Sequence, residues 1–191
     1  MHRHRNAQAA GQASVYRHGC LRLLPAFLLC ALLAGIPLAG SAGEDDALAA
    51  FVTAQLGADA GSHYLWLTPD LKEAARAETG KPLTGARQRY WRAGERTLWV
   101  LEHIGKEMPI TFAVAVEGDR IVALQVLAYR ETRGHEIRSA RFLAQFDGAG
   151  ANGTRLDRHV DGISGATLSV RASLAVARQA LFLHRQALQA P

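Results

Sequence analysis

Cysteine is nearly absent from this chain: Cys20 and Cys30 are the two in 191 residues. Both fall within the first 42 residues, so a chain beginning after them has no disulfide, no thiolate metal site and no iron–sulfur cluster of its own. Those 42 residues also contain no aspartate or glutamate. The formal charge of +5 therefore owes much to Arg3, Arg5, Arg17 and Arg22; without them 18 basic residues face 17 acidic ones. So balanced a chain lacks the basic footprint of DNA or RNA binding, and no nucleic-acid partner is expected. Repeats at solenoid periods and low-complexity tracts are missing too, which argues against solenoids and disorder. There is no G-x-S-x-G nucleophile motif and no dinucleotide glycine fingerprint. His63, His103, His135, His159 and His184 have no metal-ligand spacing, so no metal is expected.

What is present begins with a leader. A basic, polar start is followed by the apolar run Leu23 to Gly40 and then by small residues, Gly40-Ser41-Ala42, before Gly43-Glu44-Asp45-Asp46. Charged, apolar and small residues in that order form a secretory signal, so residues 1–42 are expected to be a signal peptide and 43–191 the mature domain. The alternative is an uncleaved membrane anchor, for which the run is about long enough; Pro25, Pro37 and the small-residue exit favour cleavage. No Arg-Arg pair points to a twin-arginine route. The bulky residues before Cys30 speak against lipidation.

Downstream, the pattern predicts an α+β fold. Asp46 is expected to cap a helix over Ala47 to Leu56, ended by Gly57, and Pro69 to open a second over Asp70 to Glu78, closed near Gly80. Three strands are expected at Thr97–Ile104, Ile110–Glu117 and Arg120–Tyr129, the last two joined by a two-residue turn at Gly118-Asp119. Ile110, Phe112, Val114 and Val116 share one face. In the third strand Ile121, Ala123, Gln125 and Leu127 alternate with Val122, Leu124 and Val126. Both faces of this hairpin are apolar, which predicts a central antiparallel sheet covered by helices. A polar segment, Arg130 to Ser139, a short helix or turn around Arg141 to Phe146 and a glycine-rich loop, Gly148 to Gly153, follow. The run Val170 to Leu188 is a long helix. Leu174, Leu181 and Leu188 recur on one face with Ala177, Ala180 and His184, and Arg171, Arg178 and Arg185 form a stripe expected to be solvated.

Immediately before that helix stands Asp161-Gly162-Ile163-Ser164-Gly165-Ala166-Thr167-Leu168-Ser169. Its simplest role is a capped helix start, with Ser164 or Thr167 as the cap. That leaves Gly165 without a reason, since glycine inside a helix costs nearly 1 kcal/mol against alanine. A helix start has a second capacity: its free N–H groups and the positive end of its dipole receive an anion. Glycine lets a phosphate approach the backbone, and a threonine hydroxyl there can bond to it covalently.

These nine residues resemble the flavinylation motif of the FMN-binding domain family, which includes the covalent-flavin subunits of sodium-pumping NADH:quinone reductase and of the Rnf complex and small exported flavoproteins. The similarity extends to Gly105-Lys106-Glu107-Met108-Pro109-Ile110-Thr111-Phe112, to Tyr129-Arg130-Glu131-Thr132-Arg133-Gly134-His135-Glu136 and to Phe142-Leu143-Ala144-Gln145-Phe146, spanning about Trp99 to Leu181. A proline usual in the electron-transport subunits is replaced here by Arg133. The resemblance implies FMN as cofactor, carried on Thr167 through a phosphodiester bond installed by a separate flavin transferase. Ser164, Gly165, Ala166 and Asp161 would form the setting of that bond. Arg133 and Arg130 would either stabilise a negatively charged reduced flavin or stand as solvated loop charges, and Gly134 would bring backbone near the ring. Glu131 and Glu136 have no evident acid–base task. The expected function is an exported, periplasmic electron carrier serving a membrane or soluble redox partner. A small flavin-dependent reductase and a non-redox envelope module for sensing or scaffolding are the alternatives.

Overall fold

The computed structural model describes residues 42–189. The expected signal peptide, residues 1–42, with Cys20 and Cys30, thus lies outside the described residues, apart from Ala42. Helix α1 runs from Ala42 to Leu56 and ends at Gly57, whose N–H donates to the Thr53 carbonyl. Asp46 lies inside this helix and does not cap it. The helix extends upstream because Glu44 and Asp45 in its first turn suit the positive end of its dipole, and because Glu44 pairs with Arg130. Helix α2, Pro69–Thr79, starts as its sequence dictates: the Thr68 hydroxyl accepts from the Leu71 N–H, Pro69 occupies the first turn, and Gly80 ends it in the left-handed conformation.

Five antiparallel strands form one sheet in sequential order: β1 Gly61–Trp66, β2 Arg87–Ala93, β3 Arg96–Ile104, β4 Pro109–Glu117 and β5 Arg120–Tyr129. Strands β3 to β5 match the expected runs. β1 and β2 carry polar and cationic residues between their aromatics, so alternation alone does not single them out. Gly118 and Asp119 both have positive φ, 53° and 59°, as a type I′ hairpin turn requires.

The sheet carries a core on each side. On one face Trp99, Phe112, Val114 and Val116 pack with Leu181, Phe182 and Leu183 of α4, Thr167–Gln189. On the other, Phe51 of α1 packs on Leu98 and Ala113. Strict alternation fails in β5. The pairing slips between Ala115 and Val116 and between Thr111 and Phe112, so Val122 and Leu127 have no direct partner. Ile121, Leu124 and Val126 consequently share the α4 side with Tyr129, while Ala123 and Leu127 face α1. An inserted residue reverses the phase of everything after it. The second slip is what turns Tyr129 toward α4.

After β5 come a 3₁₀ turn at His135–Arg138, a short helix α3 at Ala140–Leu143, and a small hairpin, β6 Ala151–Asn152 and β7 Arg155–Leu156. The arginine stripe of α4 is only partly solvated: Arg171 is exposed, Arg178 is half-buried, and Arg185 pairs with Glu78 of α2. α2 packs on α4 and covers that side, which the repeat of seven cannot reveal.

Candidate functional site

The nine-residue motif builds a tight turn and then a helix. The Ala166 N–H donates to the Ile163 carbonyl at 3.0 Å, closing a turn whose third residue is Gly165 with φ 81°. That left-handed value explains the glycine; a side chain there would meet no atom within 4 Å, so the space beside it is open. Helix α4 begins at Thr167, and its first backbone bond from this turn runs from the Val170 N–H to the Ala166 carbonyl. The N–H groups of Thr167, Leu168 and Ser169 therefore have no acceptor within the helix. Ser164 lies three residues ahead of the helix, and among the described residues its hydroxyl makes no capping bond to it.

Thr167 is exposed, whereas Ser169 is 4% exposed and its Oγ lies 3.1 Å from the Tyr129 hydroxyl. The two hydroxyls, two residues apart, are thus separated by the helical rotation of about 100° per residue: one faces outward and one is committed to the interior.

A cleft of about 580 Å³ opens at this helix start. One side is Gly165 to Ser169; the others are Lys106 and Glu107 from the β3–β4 turn and Glu131, Thr132 and Arg133 from the loop after β5. Two clips hold the walls. Glu131 Oε1 accepts the backbone N–H groups of Lys106, Glu107 and Met108 at 2.5, 2.7 and 3.0 Å. Those bonds, that of Met108 foremost, hold its carboxyl below the usual 4.5. Tyr129 donates to the Arg133 carbonyl while touching Ser169, so it ties the loop to α4.

Gly134 stands behind this junction. Its φ is 87°, and a Cβ would lie 2.7 Å from the Tyr129 hydroxyl and 3.1 Å from Ala166 Cβ and Ser169 Oγ. Its smallness serves the contact between loop, strand and helix. Arg133 lines the cleft and makes no ion pair among the described residues. Arg130 turns the other way: it reaches Glu44 at 2.8 Å and the Thr111 hydroxyl at 3.1 Å. The ion pair with α1 therefore claims Arg130. Asp161 is exposed, 3.4 Å from His159, and its N–H donates to the Gln145 side chain at 2.7 Å. The structure thus brings Thr167, Gly165, Ala166 and Arg133 to one cleft, sets Gly134 behind it, and leaves Ser164 and Asp161 off its lining.

Exposed threonine, free helix amides and an adjoining cleft occur together on a chain segment that can be compared as a whole. Residues 105–181 match the family model of the FMN-binding domain. The chain carries an FMN-binding domain, and FMN is its cofactor. None of the curated proteins compared matches the chain. The match begins at Gly105, at the turn that Glu131 clips, and ends within α4, so it takes in all the cleft walls. The cleft lies within the range of roughly 300–1,000 Å³ typical of small-ligand sites. Its chemistry also fits FMN: free amides and Arg133 suit a phosphate, and Leu168, 43% exposed, offers an apolar surface to a ring.

Glu131 and Tyr129 hold the walls of the cleft, and the sequence leaves both without a task. Both stand in the segment similar to the family, but the contacts that tie them to the β3–β4 turn and to α4 join positions 23 to 40 residues apart. No group of three or more His, Asp or Glu able to hold a metal occurs among the described residues.

Proposed function

We propose that this protein is an exported flavoprotein which holds FMN covalently on Thr167 and carries electrons in the bacterial cell envelope. The carrying observation is the exposure of Thr167 at the mouth of the cleft, with three unpaired helix amides beside its hydroxyl. An exposed hydroxyl is accessible to a flavin transferase, and the amides, with the helix dipole, stabilise a phosphodiester by roughly 0.3–1 kcal/mol when exposed and up to ~2 when partly buried. Bound FMN supplies reversible electron uptake and release. Thr167 provides the oxygen of attachment, Arg133 provides positive charge, and Glu131 and Tyr129 keep the walls in place. A covalent link keeps the cofactor at high effective concentration beside its own site, which matters where a dissociated molecule is lost by dilution.

The test is the protein made with a working flavin transferase and exported. Peptide mapping is expected to find the FMN mass on Thr167. Flavin on Ser164 or Ser169, or none at all, would refute the assignment. Sequencing of the exported protein is expected to begin near Gly43; a full-length, membrane-embedded main product would refute cleavage. Reoxidation of the reduced flavin by isolated carriers, with no substrate turnover, separates a carrier from a reductase.

A further inference from the structure

Antiparallel register places the end of β1, the start of β2, the end of β3 and the start of β4 at one end of the sheet. The cleft lies there too, since the β3–β4 turn forms one of its walls. Six large hydrophobic side chains stand exposed among the described residues, and Tyr64, Trp66, Ile104, Met108 and Leu168 lie at or beside this end. Leu188, near the far end of α4, is the exception.

Trp66 is 64% exposed and Tyr64 47%. They are two residues apart on the edge strand, and their direct partners on β2 are Arg87 and Arg89, so all four share one face. The Arg87 guanidinium sits 4.1 Å from the Tyr64 ring centre and 5.9 Å from that of Trp66, and Arg89 sits 4.5 Å from that of Trp91. Neither β1 nor β2 contains an acid, while β2 contains Arg87, Arg89 and Arg92. Exposed tryptophan and tyrosine interleaved with arginine form a surface that is apolar in its rings and cationic between them. This is the composition that settles at the boundary between lipid headgroups and acyl chains, and its charge complements anionic headgroups.

Resting on the envelope-carrier reading, we propose that the face formed by Tyr64, Trp66, Arg87 and Arg89 docks on the surface of an anionic bilayer. This face lies on the α1 side of the sheet, since Trp91 beside it packs in the α1 core, while the cleft opens at the start of α4 at the same end of the sheet; docking holds that end at the membrane. The occupant is lipid headgroup, recognised by charge and by aromatic insertion. An acidic protein partner is the competing occupant.

The test uses the full chain as isolated from the envelope, with its flavin content measured on the same sample. It is mixed with vesicles containing brominated lipid, composed either of phosphatidylglycerol in phosphatidylcholine or of phosphatidylcholine alone. Tryptophan quenching is expected to be greater with phosphatidylglycerol and to fall with added salt. Trp66→Phe is expected to remove most of it, because Trp99 is buried and Trp91 half-buried. Arg87→Glu, an exposed change, is expected to reduce it with the fold intact by circular dichroism. The comparison holds even if the leader tethers the chain to both vesicle types. Equal quenching in the two lipids, or unchanged quenching in Trp66→Phe, overturns the docking face and assigns the surface to a protein partner. Flavinylated protein without lipid-dependent quenching sinks this inference alone; quenching by a protein that takes no flavin sinks the carrier reading and leaves the face standing.

Discussion

Thr167 and Leu168 stand in solvent at the start of α4, whereas Ala180, Leu181, Leu183 and His184, more than three turns later, are buried. At the buried end the Thr97 hydroxyl lies 2.8 Å from His184 Nδ1 and accepts from the Trp99 indole N–H at 2.8 Å. Polar atoms there are enclosed between helix and sheet. At the exposed end, polar bonds join loops around an opening. The helix is continuous, so its own backbone does not create the contrast. What differs is the neighbour: strands β3 and β4 lie against the later turns, whereas two clipped loops border an open cleft at the first. A stable helix thus presents an exposed hydroxyl without exposing its packed face.

The sharpest way to break this contrast is Thr167→Val. It keeps the β-branched shape and removes the hydroxyl at an exposed position. Complete loss of the covalent FMN mass and of acid-stable yellow colour is expected, with the unfolding midpoint of the flavin-free protein unchanged. A flavinylated variant would refute the assignment.

Next in size is Gly134→Ala. The positive φ and the close Tyr129 oxygen predict a loss of about 1–3 kcal/mol in urea unfolding, together with a loosened cleft. A neutral result would mean that the junction of strand, loop and helix yields readily.

Acid separates the two ends. Burial holds His184 below its ordinary 6.5, so the unfolded chain takes up this proton first. Its contribution is complete above about pH 6.5 and declines as pH falls from there toward the folded pKa. Glu131, held below 4.5 by backbone N–H groups, contributes above about pH 4.5 and loses that contribution as pH falls through its folded pKa. Unfolding measured against pH is expected to show both declines. His184→Asn removes the upper one and Glu131→Gln the lower. If Glu131→Gln left the acid limb unchanged, the clip would carry no stability.

Ser169→Ala is a smaller change. Loss of the 3.1 Å contact with Tyr129 is expected to cost about 1 kcal/mol in urea unfolding, with flavin attachment retained. Arg133→Ala is expected to have the smallest effect. Removing an exposed positive charge lowers the flavin midpoint potential by up to about 20 mV for a two-electron couple, if the contact is worth up to ~1 kcal/mol, and high salt shrinks the difference. An unchanged potential at low salt would leave Arg133 a solvated loop charge.

The sequence by itself determined the local elements. Alternation over β3 to β5, the Gly118-Asp119 turn, Thr68 and Pro69 at the start of α2, and the seven-residue recurrence in α4 each act within a few residues, where backbone sterics and burial periodicity decide. It also carried the motif around Thr167, because a turn with left-handed Gly165 and a helix start are local events. Tertiary structure decided the rest. In β5 one pairing slip moved Leu124 and Val126 to the α4 side with Ile121, and a second returned Tyr129 to that side; no one-strand pattern shows a bulge that depends on its partner. Glu131 reads as an idle loop acid until the β3–β4 turn brings three N–H groups to it. Arg130 reads as a cofactor cation or a solvated loop charge until α1 supplies Glu44. Contacts of this kind join residues 23 to 86 positions apart, and their energies depend on distance and dielectric, which exist only once the chain has folded.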